Sequence, residues 1–458
     1  MKLHSRLPLK TVYSPTHDIV VTKQDDHRAE ITYVEEHTKP DKDFILYYTV
    51  SRSDFGLNLL TYRESGEDGF FLAMIAPNVE MKRHNVMNKQ ILFVLDTSGS
   101  MSGEKIEQAK DALTFCLNNL NEGDLFNIIS FDTEIESFVS EPVQATSQRI
   151  QEARDFVARL HADGGTNIND ALVTALRQMN NDHHLNVIVF LTDGLPTVGI
   201  TDNPQILKNV TQANDSQTRI FVFGVGYDVN THLLDKMSEQ NEAVSEYVRP
   251  EESIEVKISN FYSKIAHPVL TDVALDFGRI DVSQIYPRRL PDMFKGSQLL
   301  LLGRYENEGH TTIRLAGKAG GENQKFTYEG SFPSRSETND FIPRLWASRK
   351  IGYLIDQIRL HGQNKELVDE VVRLSKKYGI MTEYTSFLVD MDVHVAMEEL
   401  EDRARENFAR AKKVEKGAWA VGQAQNAKRL RAQAMAPTNE FFDASGEMQR
   451  ITGVRQIA

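Results

Sequence analysis

Continuous apolar runs alternate with helical patterns in the middle of the chain, between residues 89 and 267. The runs are ILFVLD, NVIVFLTDG and RIFVFGVG, and apolar residues at helical spacing follow each of them, as in GEKIEQAKDALTFCLNNL. A strand that is apolar at every position is buried on both faces, and strands of this kind that alternate with helices imply a parallel sheet with helices on both sides. This alternation predicts an α/β unit with a doubly wound, mainly parallel sheet over residues 89–267.

The segments on either side of this unit have a different pattern. Residues 1–88 contain short runs rich in β-branched and aromatic residues, such as DIVVTK and DFILYYTVS, separated by turn residues. Residues 268–340 return to this pattern, and because the ends of an inserted domain usually lie close together, we expect them to form a β-sandwich with residues 44–77. Residues 341–393 are predicted as a helical region, and residues 394–458 as a charged tail.

The charge and hydropathy of the chain argue against several classes of partner. The formal net charge is −13 over 458 residues. Nucleic acids and anionic membrane surfaces attract positively charged proteins, so neither is expected here. No apolar run approaches the length of a bilayer-spanning helix. The first residues, MKLHSRLPLKTVYSP, contain no apolar core of a secretory signal peptide, so the residues alone do not identify a compartment.

Small polar residues occur in three loops at the carboxyl ends of predicted strands or at the start of a helix. Asp96, Ser98 and Ser100 lie at the end of ILFVLD, Thr166 lies in GGTN, and Asp193 lies in LTDG. Ligands of doubly wound sheets bind at this edge, where the chain turns from strand to helix. The five side chains offer two carboxylates and three hydroxyls, which predicts a site for a cation.

Hard divalent cations are the class of metal that fits these oxygen atoms. Mg²⁺ accepts few carboxylates and retains several waters, while Mn²⁺ and Ca²⁺ stay open as alternatives. No His or Cys joins the set, so zinc is not expected. A simpler interpretation is a polar turn that caps the following helix. A cap needs only one such residue, however, and does not require Thr166 and Asp193 in two other loops.

The motifs DTSGSMSG, GGTN and FLTDG resemble the metal-ion-dependent adhesion site of the von Willebrand factor type A domain. That family carries Asp-x-Ser-x-Ser, a distant Thr and a distant Asp, which correspond here to Asp96, Ser98, Ser100, Thr166 and Asp193. The resemblance implies that Ser98, Ser100 and Thr166 contact the metal directly, and that the aspartates act mostly through water. Such a cation can take a carboxylate from a partner protein or an extracellular matrix ligand, which is binding without catalysis.

Further segments resemble the heavy chains of inter-alpha-trypsin inhibitor and their bacterial relatives. They include TVYSPTHDIVV, KDFILYYTVS, LWASRKIGYLIDQI and KYGIMTEYTSFLV. Those proteins place a β-rich VIT domain before the type A domain, and the N-terminal residues here resemble only its last strands. We therefore expect a bacterial relative that is truncated at its N-terminus, and the family implies a secreted, periplasmic or cell-surface location. The Asp-Pro-His processing tripeptide of the animal proteins does not occur, so covalent attachment to hyaluronan is not predicted.

An enzymatic alternative uses the same strand-end acid. In a magnesium-dependent aspartyl-phosphate phosphatase or ATPase, Asp96 would be the nucleophile. Such enzymes require a second acid two residues after the nucleophile or a DKTGT sequence, together with a lysine and a paired acidic motif. This chain has Ser98 at the second position and one acid in LTDGLPTVG. The motifs therefore favour a binding site over this enzyme class.

Overall fold

The computed structural model describes residues 1–34, 44–50, 55–77, 87–180, 184–362, 364–386, 397–435 and 439–451. The described residues before the central unit form β-strands. These are β1 (Lys2–His4), β2 (Leu9–Tyr13), β3 (Val20–Lys23), β4 (Arg28–Thr32), β5 (Tyr47–Val50), β6 (Phe55–Tyr62) and β7 (Gly69–Pro77). Strands β1, β4 and β3 form one antiparallel sheet, and β2 pairs with β5.

In the described residues of the central α/β unit, seven strands form one sheet, of order β10-β9-β8-β12-β13-β14 with β11 paired to β9. Its strands are β8 (Lys89–Asp96), β9 (Leu125–Phe131), β10 (Ile135–Ser137), β11 (Val143–Gln144), β12 (Leu185–Thr192), β13 (Arg219–Val225) and β14 (Ser245–Val248). Strands β9, β8, β12, β13 and β14 are parallel to one another, and β10 and β11 pair antiparallel with β9. This sheet confirms the predicted fold class.

Six α-helices in the part of this unit that the structure describes cover the two faces of the sheet. They are α1 (Glu104–Asn118), α2 (Ser147–Arg159), α3 (Ile168–Arg177), α4 (Asn203–Ala213), α5 (Thr231–Gln240) and α6 (Ile254–Ile265). Successive side chains of a strand point to opposite faces. Phe93 of β8 therefore packs in the core under α1, α2 and α6, while Val94 packs in the core under α3, α4 and α5. Both layers are hydrophobic cores, which explains why β8 is apolar from Ile91 to Leu95.

Within the described residues, two four-stranded sheets pack face to face, and strands from both sides of the central unit form them. Besides β6 and β7, their strands are β15 (Pro268–Asp276), β16 (Val282–Tyr286), β17 (Met293–Phe294), β18 (Leu299–Tyr305), β19 (Gly309–Ala319) and β20 (Glu322–Phe332). One sheet has the order β17-β15-β19-β20 and the other β16-β18-β7-β6. Strands β7 and β18 thus pair directly, although the whole central unit separates them in the sequence. Phe71 of β7 packs against Phe332 of β20 in the opposite sheet and against Phe277, which directly follows β15.

The C-terminal part of the described chain is mainly helical. It contains α7 (Phe341–His361), α8 (Lys365–Tyr378), α9 (Met397–Ala411), α10 (Ala418–Ala432) and the hairpin β21 (Glu440–Phe442) and β22 (Met448–Arg450). Helix α7 covers the outer face of the β7/β18 sheet, where Trp346 stacks edge-on against Phe70. None of the described helices is long and apolar enough to cross a bilayer.

The segment 394–458, predicted as a charged tail, contains two helices and a hairpin in the described residues. Helix α10 is buried because Val421 and Ala424 pack into the core of the central unit, on the side of α3, α4 and α5. A buried ion pair also joins the two regions, since Arg359 of α7 donates to Asp235 of α5 at 2.7 Å. The helical region therefore packs directly against the central unit.

Candidate metal centre

The five predicted ligands lie in three loops at the carboxyl edge of the central sheet. Asp96 is the last residue of β8, and Ser98 and Ser100 follow in a turn that includes a short 3-10 helix, Gly99–Met101. Thr166 directly precedes Asn167, whose side chain caps the N-terminus of α3. Asp193 directly follows the end of β12. Since β8 and β12 are adjacent parallel strands, their ends bring the first and third loops together.

Asp96 is the most buried member of the group. Its side chain is 0% exposed, and each of its oxygens accepts a hydrogen bond. The Ser98 backbone N–H donates to Oδ1 at 2.8 Å, and the Thr192 hydroxyl donates to Oδ2 at 2.6 Å. Burial raises the pKa of Asp96 to about 6, although the hydrogen bonds from Ser98 and Thr192 act in the opposite direction. These two donors fix the carboxylate beneath the loop.

Ser98, Ser100 and Asp193 form a continuous chain of contacts. The two serine hydroxyls are 3.0 Å apart, and the Ser100 hydroxyl donates to Asp193 Oδ1 at 2.6 Å. The other oxygen of Asp193 accepts a hydrogen bond from Lys105 Nζ at 2.6 Å. Ser98 and Asp193 are buried whereas Ser100 is exposed, so the group opens to solvent on the side of Ser100.

The hydroxyl groups of Thr166 and Ser100 both lie close to Gly194. A methyl group at Gly194 would lie 3.4 Å from Thr166 Oγ1 and 3.7 Å from Ser100 Oγ. The absence of a side chain there leaves a space that the hydroxyls of two different loops line. Thr197 holds the backbone of Thr166 in place, because the Thr166 N–H donates to Thr197 Oγ1 at 2.8 Å.

Backbone hydrogen bonds hold the first two loops together. Gly99 N donates to Gly164 O at 3.1 Å, and Asp163 N donates to Thr97 O at 2.9 Å. Gly164 has a φ of +71°, and a Cβ there would lie 2.8 Å from Thr133 Oγ1. Only glycine adopts this conformation without strain and also fits the space. Main-chain contacts therefore hold the first two loops in position.

The donor set suits a hard divalent cation. Within the described ranges, no group of three or more His, Cys, Asp or Glu side chains could hold a metal ion. A cation at this edge would therefore depend on hydroxyl oxygens together with Asp96 and Asp193. Mg²⁺ accepts such neutral oxygens and keeps water in its remaining positions. The buried residues Ser98 and Thr166 supply such hydroxyls, and the hydroxyl oxygens of Thr166 and Ser100 both lie close to Gly194.

A cavity of about 530 Å³ adjoins the loops on the side of β9. Its lining includes Thr97 and Gly164 from the site loops, the acidic residues Asp132 and Asp163, and Phe156. The cavity thus lies directly beside the loops that carry Thr97 and Gly164.

Sequence reasoning missed two side chains that act on the predicted ligands. Thr192 stands in the LTDG motif but was not identified as the residue that binds Asp96. Lys105 was part of a helical pattern, and the only available signal was a positive charge in the first turn after the Ser100 loop. Its contact with Asp193 spans 88 positions of sequence, which no local pattern reveals.

Comparison with known proteins identifies relatives over most of the chain. A family model described as the von Willebrand factor type A domain matches residues 89–246. The chain is 31% identical over 375 residues to inter alpha-trypsin inhibitor, heavy chain 4 of Mus musculus, a match that covers 78% of this chain and 39% of that protein. It is 29% identical over 403 residues to inter-alpha-trypsin inhibitor heavy chain H4 of Homo sapiens, covering 84% of this chain and 42% of that protein.

Among solved structures, a von Willebrand factor type A protein from Catenulispora acidiphila aligns with a TM-score of 0.53. The sequence identity is 16%, and the alignment covers 88% of this chain and 94% of that one. At this identity the similarity concerns the fold. The chain spans about 40% of the length of the two heavy chains it matches.

Proposed function

Because the chain is an inter-alpha-trypsin inhibitor heavy chain-like protein with a von Willebrand factor type A domain, we propose that it is a divalent-cation-dependent binding protein. Its ligand is a protein or matrix component, and the binding site is a metal-ion-dependent adhesion site at the carboxyl edge of the central sheet. The metal is Mg²⁺, Mn²⁺ or Ca²⁺. The site binds without catalysing a reaction.

The observation that carries this proposal is the convergence of three hydroxyls and two carboxylates at the edge between β8 and β12. Ser98, Ser100 and Thr166 would hold the cation directly. Asp96 and Asp193 would act mostly through water, because their oxygens already accept hydrogen bonds from protein donors. A cation held largely by neutral oxygens keeps much of its positive charge, and it therefore attracts a carboxylate from the ligand.

The burial of Asp96 supports binding over phosphoryl transfer. A nucleophilic carboxylate needs an oxygen that the phosphorus atom can reach, whereas Asp96 is fully buried and both of its oxygens are hydrogen-bonded. A phosphatase assay with a generic aryl phosphate and Mg²⁺ compares the two functions directly. We expect no turnover above background. Robust Mg²⁺-dependent turnover that is lost in Asp96→Asn would favour the enzyme.

Calorimetric titration of the full chain with Mg²⁺ tests the proposed site. We expect Ser98→Ala and Thr166→Val each to weaken Mg²⁺ binding by about tenfold or more, because each removes one ligand of a site with few direct ligands. Ser102→Ala is the matched control, since Ser102 lies in the same turn but its hydroxyl donates to Gly99 O, outside the donor set. Circular dichroism checks that each variant is folded. Equal affinity in the wild type and both ligand variants would contradict the assignment.

The proposed dependence on a ligand carboxylate is tested separately. An immobilised peptide library with and without acidic residues would be exposed to the protein in Mg²⁺ and in EDTA. We expect binding only to acidic peptides and only in Mg²⁺. Binding that persists in EDTA would show that the ligand uses another surface.

A further inference from the structure

Lys105 places a positive charge directly on the candidate donor set. It lies in the first turn of α1, and its Nζ donates to Asp193 Oδ2 at 2.6 Å and to Ser100 O at 3.2 Å. The Asp193 side chain is completely buried, while that of Lys105 is 41% exposed. Among the described residues, Lys105 forms no ion pair other than this one. The ammonium group of Lys105 thus balances the charge of the buried carboxylate of Asp193, one of the predicted metal ligands.

The two oxygens of Asp193 have different partners. Oδ1 faces the Ser100 hydroxyl, and Oδ2 faces Lys105. Lys105 therefore leaves Oδ1 on the side of the predicted ligands while it neutralises much of the charge of Asp193. A divalent cation at the site has to share Asp193 with Lys105 or displace it. Both routes weaken cation binding, because like charges repel and an ion pair with a buried carboxylate is lost.

We propose that Lys105 sets the cation affinity of this site, an inference that rests on the proposed metal-dependent function. With Asp193 partly neutralised, the site fills only at a high concentration of free cation. The same charge has the opposite effect on the ligand. A bound cation and a neighbouring ammonium together attract a ligand carboxylate more strongly than the cation alone. Lys105 thus lowers the affinity of the site for the metal and raises its affinity for the acidic ligand.

Titration of the full chain with Mg²⁺ by calorimetry tests this proposal in four proteins: wild type, Lys105→Met, Lys105→Arg and Lys110→Met. We expect Lys105→Met to bind Mg²⁺ roughly five- to tenfold more tightly, because one positive charge near the metal is removed. Lys105→Arg keeps the charge and should stay within about twofold of the wild type. Lys110 is the matched control on the same helix, since it pairs with Glu107 and does not contact the donor set.

The melting temperatures of the wild type and Lys105→Met, in EDTA and in Mg²⁺, give a second test. A variant that had only lost packing would not show the expected pattern. In EDTA, Lys105→Met should melt below the wild type, because Asp193 stays buried without its counter-charge. Addition of Mg²⁺ should then raise the melting temperature of the variant more than that of the wild type. Lys105→Gln, which keeps a polar tip, serves in place of Lys105→Met should that variant not fold.

The outcomes separate this proposal from the one on which it rests. If wild type binds Mg²⁺ and the neutral variants bind it equally or more weakly, Lys105 does not set the affinity, and the metal site itself stands. If neither the wild type nor any neutral variant binds Mg²⁺, both proposals are overturned. Tighter binding by Lys105→Met, with Lys105→Arg unchanged, supports both.

Discussion

Replacing Thr192 by Val should reveal how strongly the strand end depends on the hydrogen bond to Asp96. The substitution keeps the shape of the side chain and removes a hydroxyl that donates to Asp96 Oδ2 at 2.6 Å. Both residues are 0% exposed, so water cannot readily replace the lost donor. A hydrogen bond to a charged group contributes about 1.5–3 kcal/mol. We expect a loss of about 2 kcal/mol, which lowers the melting temperature of a unit of 150–250 residues by roughly 4–8 °C.

Scanning calorimetry of the full chain in EDTA measures this shift. Thr192→Ser is the matched control because it keeps the hydroxyl, and it should melt closer to the wild type than Thr192→Val. A double-mutant cycle with Asp96→Asn isolates the pairwise contribution. In the Asp96→Asn background, Thr192→Val should cost less than half as much. An equal cost in both backgrounds would refute the reasoning, since the effect would then come from packing and not from the carboxylate.

Two further predictions concern the contact between the helical region and the central unit. Arg359→Leu leaves Asp235 buried with hydrogen bonds from Ser245 and Tyr247 but without its cation. We expect urea denaturation to show a free energy of unfolding lower by about 3–5 kcal/mol, and limited proteolysis to cleave earlier in 341–435. Unchanged proteolysis would contradict the role of this ion pair. Burial, with Arg359 nearby, lowers the pKa of His232 to about 4. His232 therefore contributes stability that is present above its unfolded pKa of about 6.5 and is lost as the pH falls towards 4, by about 2–3 kcal/mol. Thermal melts at pH 7, 5.5 and 4 should show a shallower loss for His232→Gln, and parallel curves would refute this.

The central sheet was predictable because its strands are long and apolar on both faces. In ILFVLD every residue before the aspartate contributes to one of two cores, and no alternative environment accommodates such a strand. The approach of the first and third loops also follows from topology, since the neighbouring parallel strands β8 and β12 end at one edge. The Thr166 loop is instead joined to the first loop by backbone hydrogen bonds, such as Gly99 N to Gly164 O. What the cluster binds was inferred from residue type and family resemblance, and it stays a proposal for the titrations above.

Contacts between distant side chains were outside the reach of the sequence. The charged composition of residues 394–458 predicted a tail, yet α10 in this segment carries the polar residue Asn426. Asn426 is instead buried, because its amide donates to Phe442 O and its carbonyl accepts from Phe442 N, both in β21. A buried amide is tolerated only when its partners are present, and these partners lie 16 positions away in a short hairpin. Lys105 was missed for the same reason, since its partner lies at the end of another strand.

The way the central unit joins the sandwich has a mechanical consequence. Both of its connections lie at the amino edge of the sheet: Lys89 Nζ donates to Ala266 O at 3.1 Å, and Met87 N donates to Pro268 O at 2.9 Å. The proposed ligand site lies at the opposite edge. A tethered ligand that pulls on this site therefore loads two covalent anchors at once, along the direction of the parallel strands. Tension along the chain itself can instead pass from β7 to β18 through the backbone hydrogen bonds between these strands. The central unit then does not carry this load.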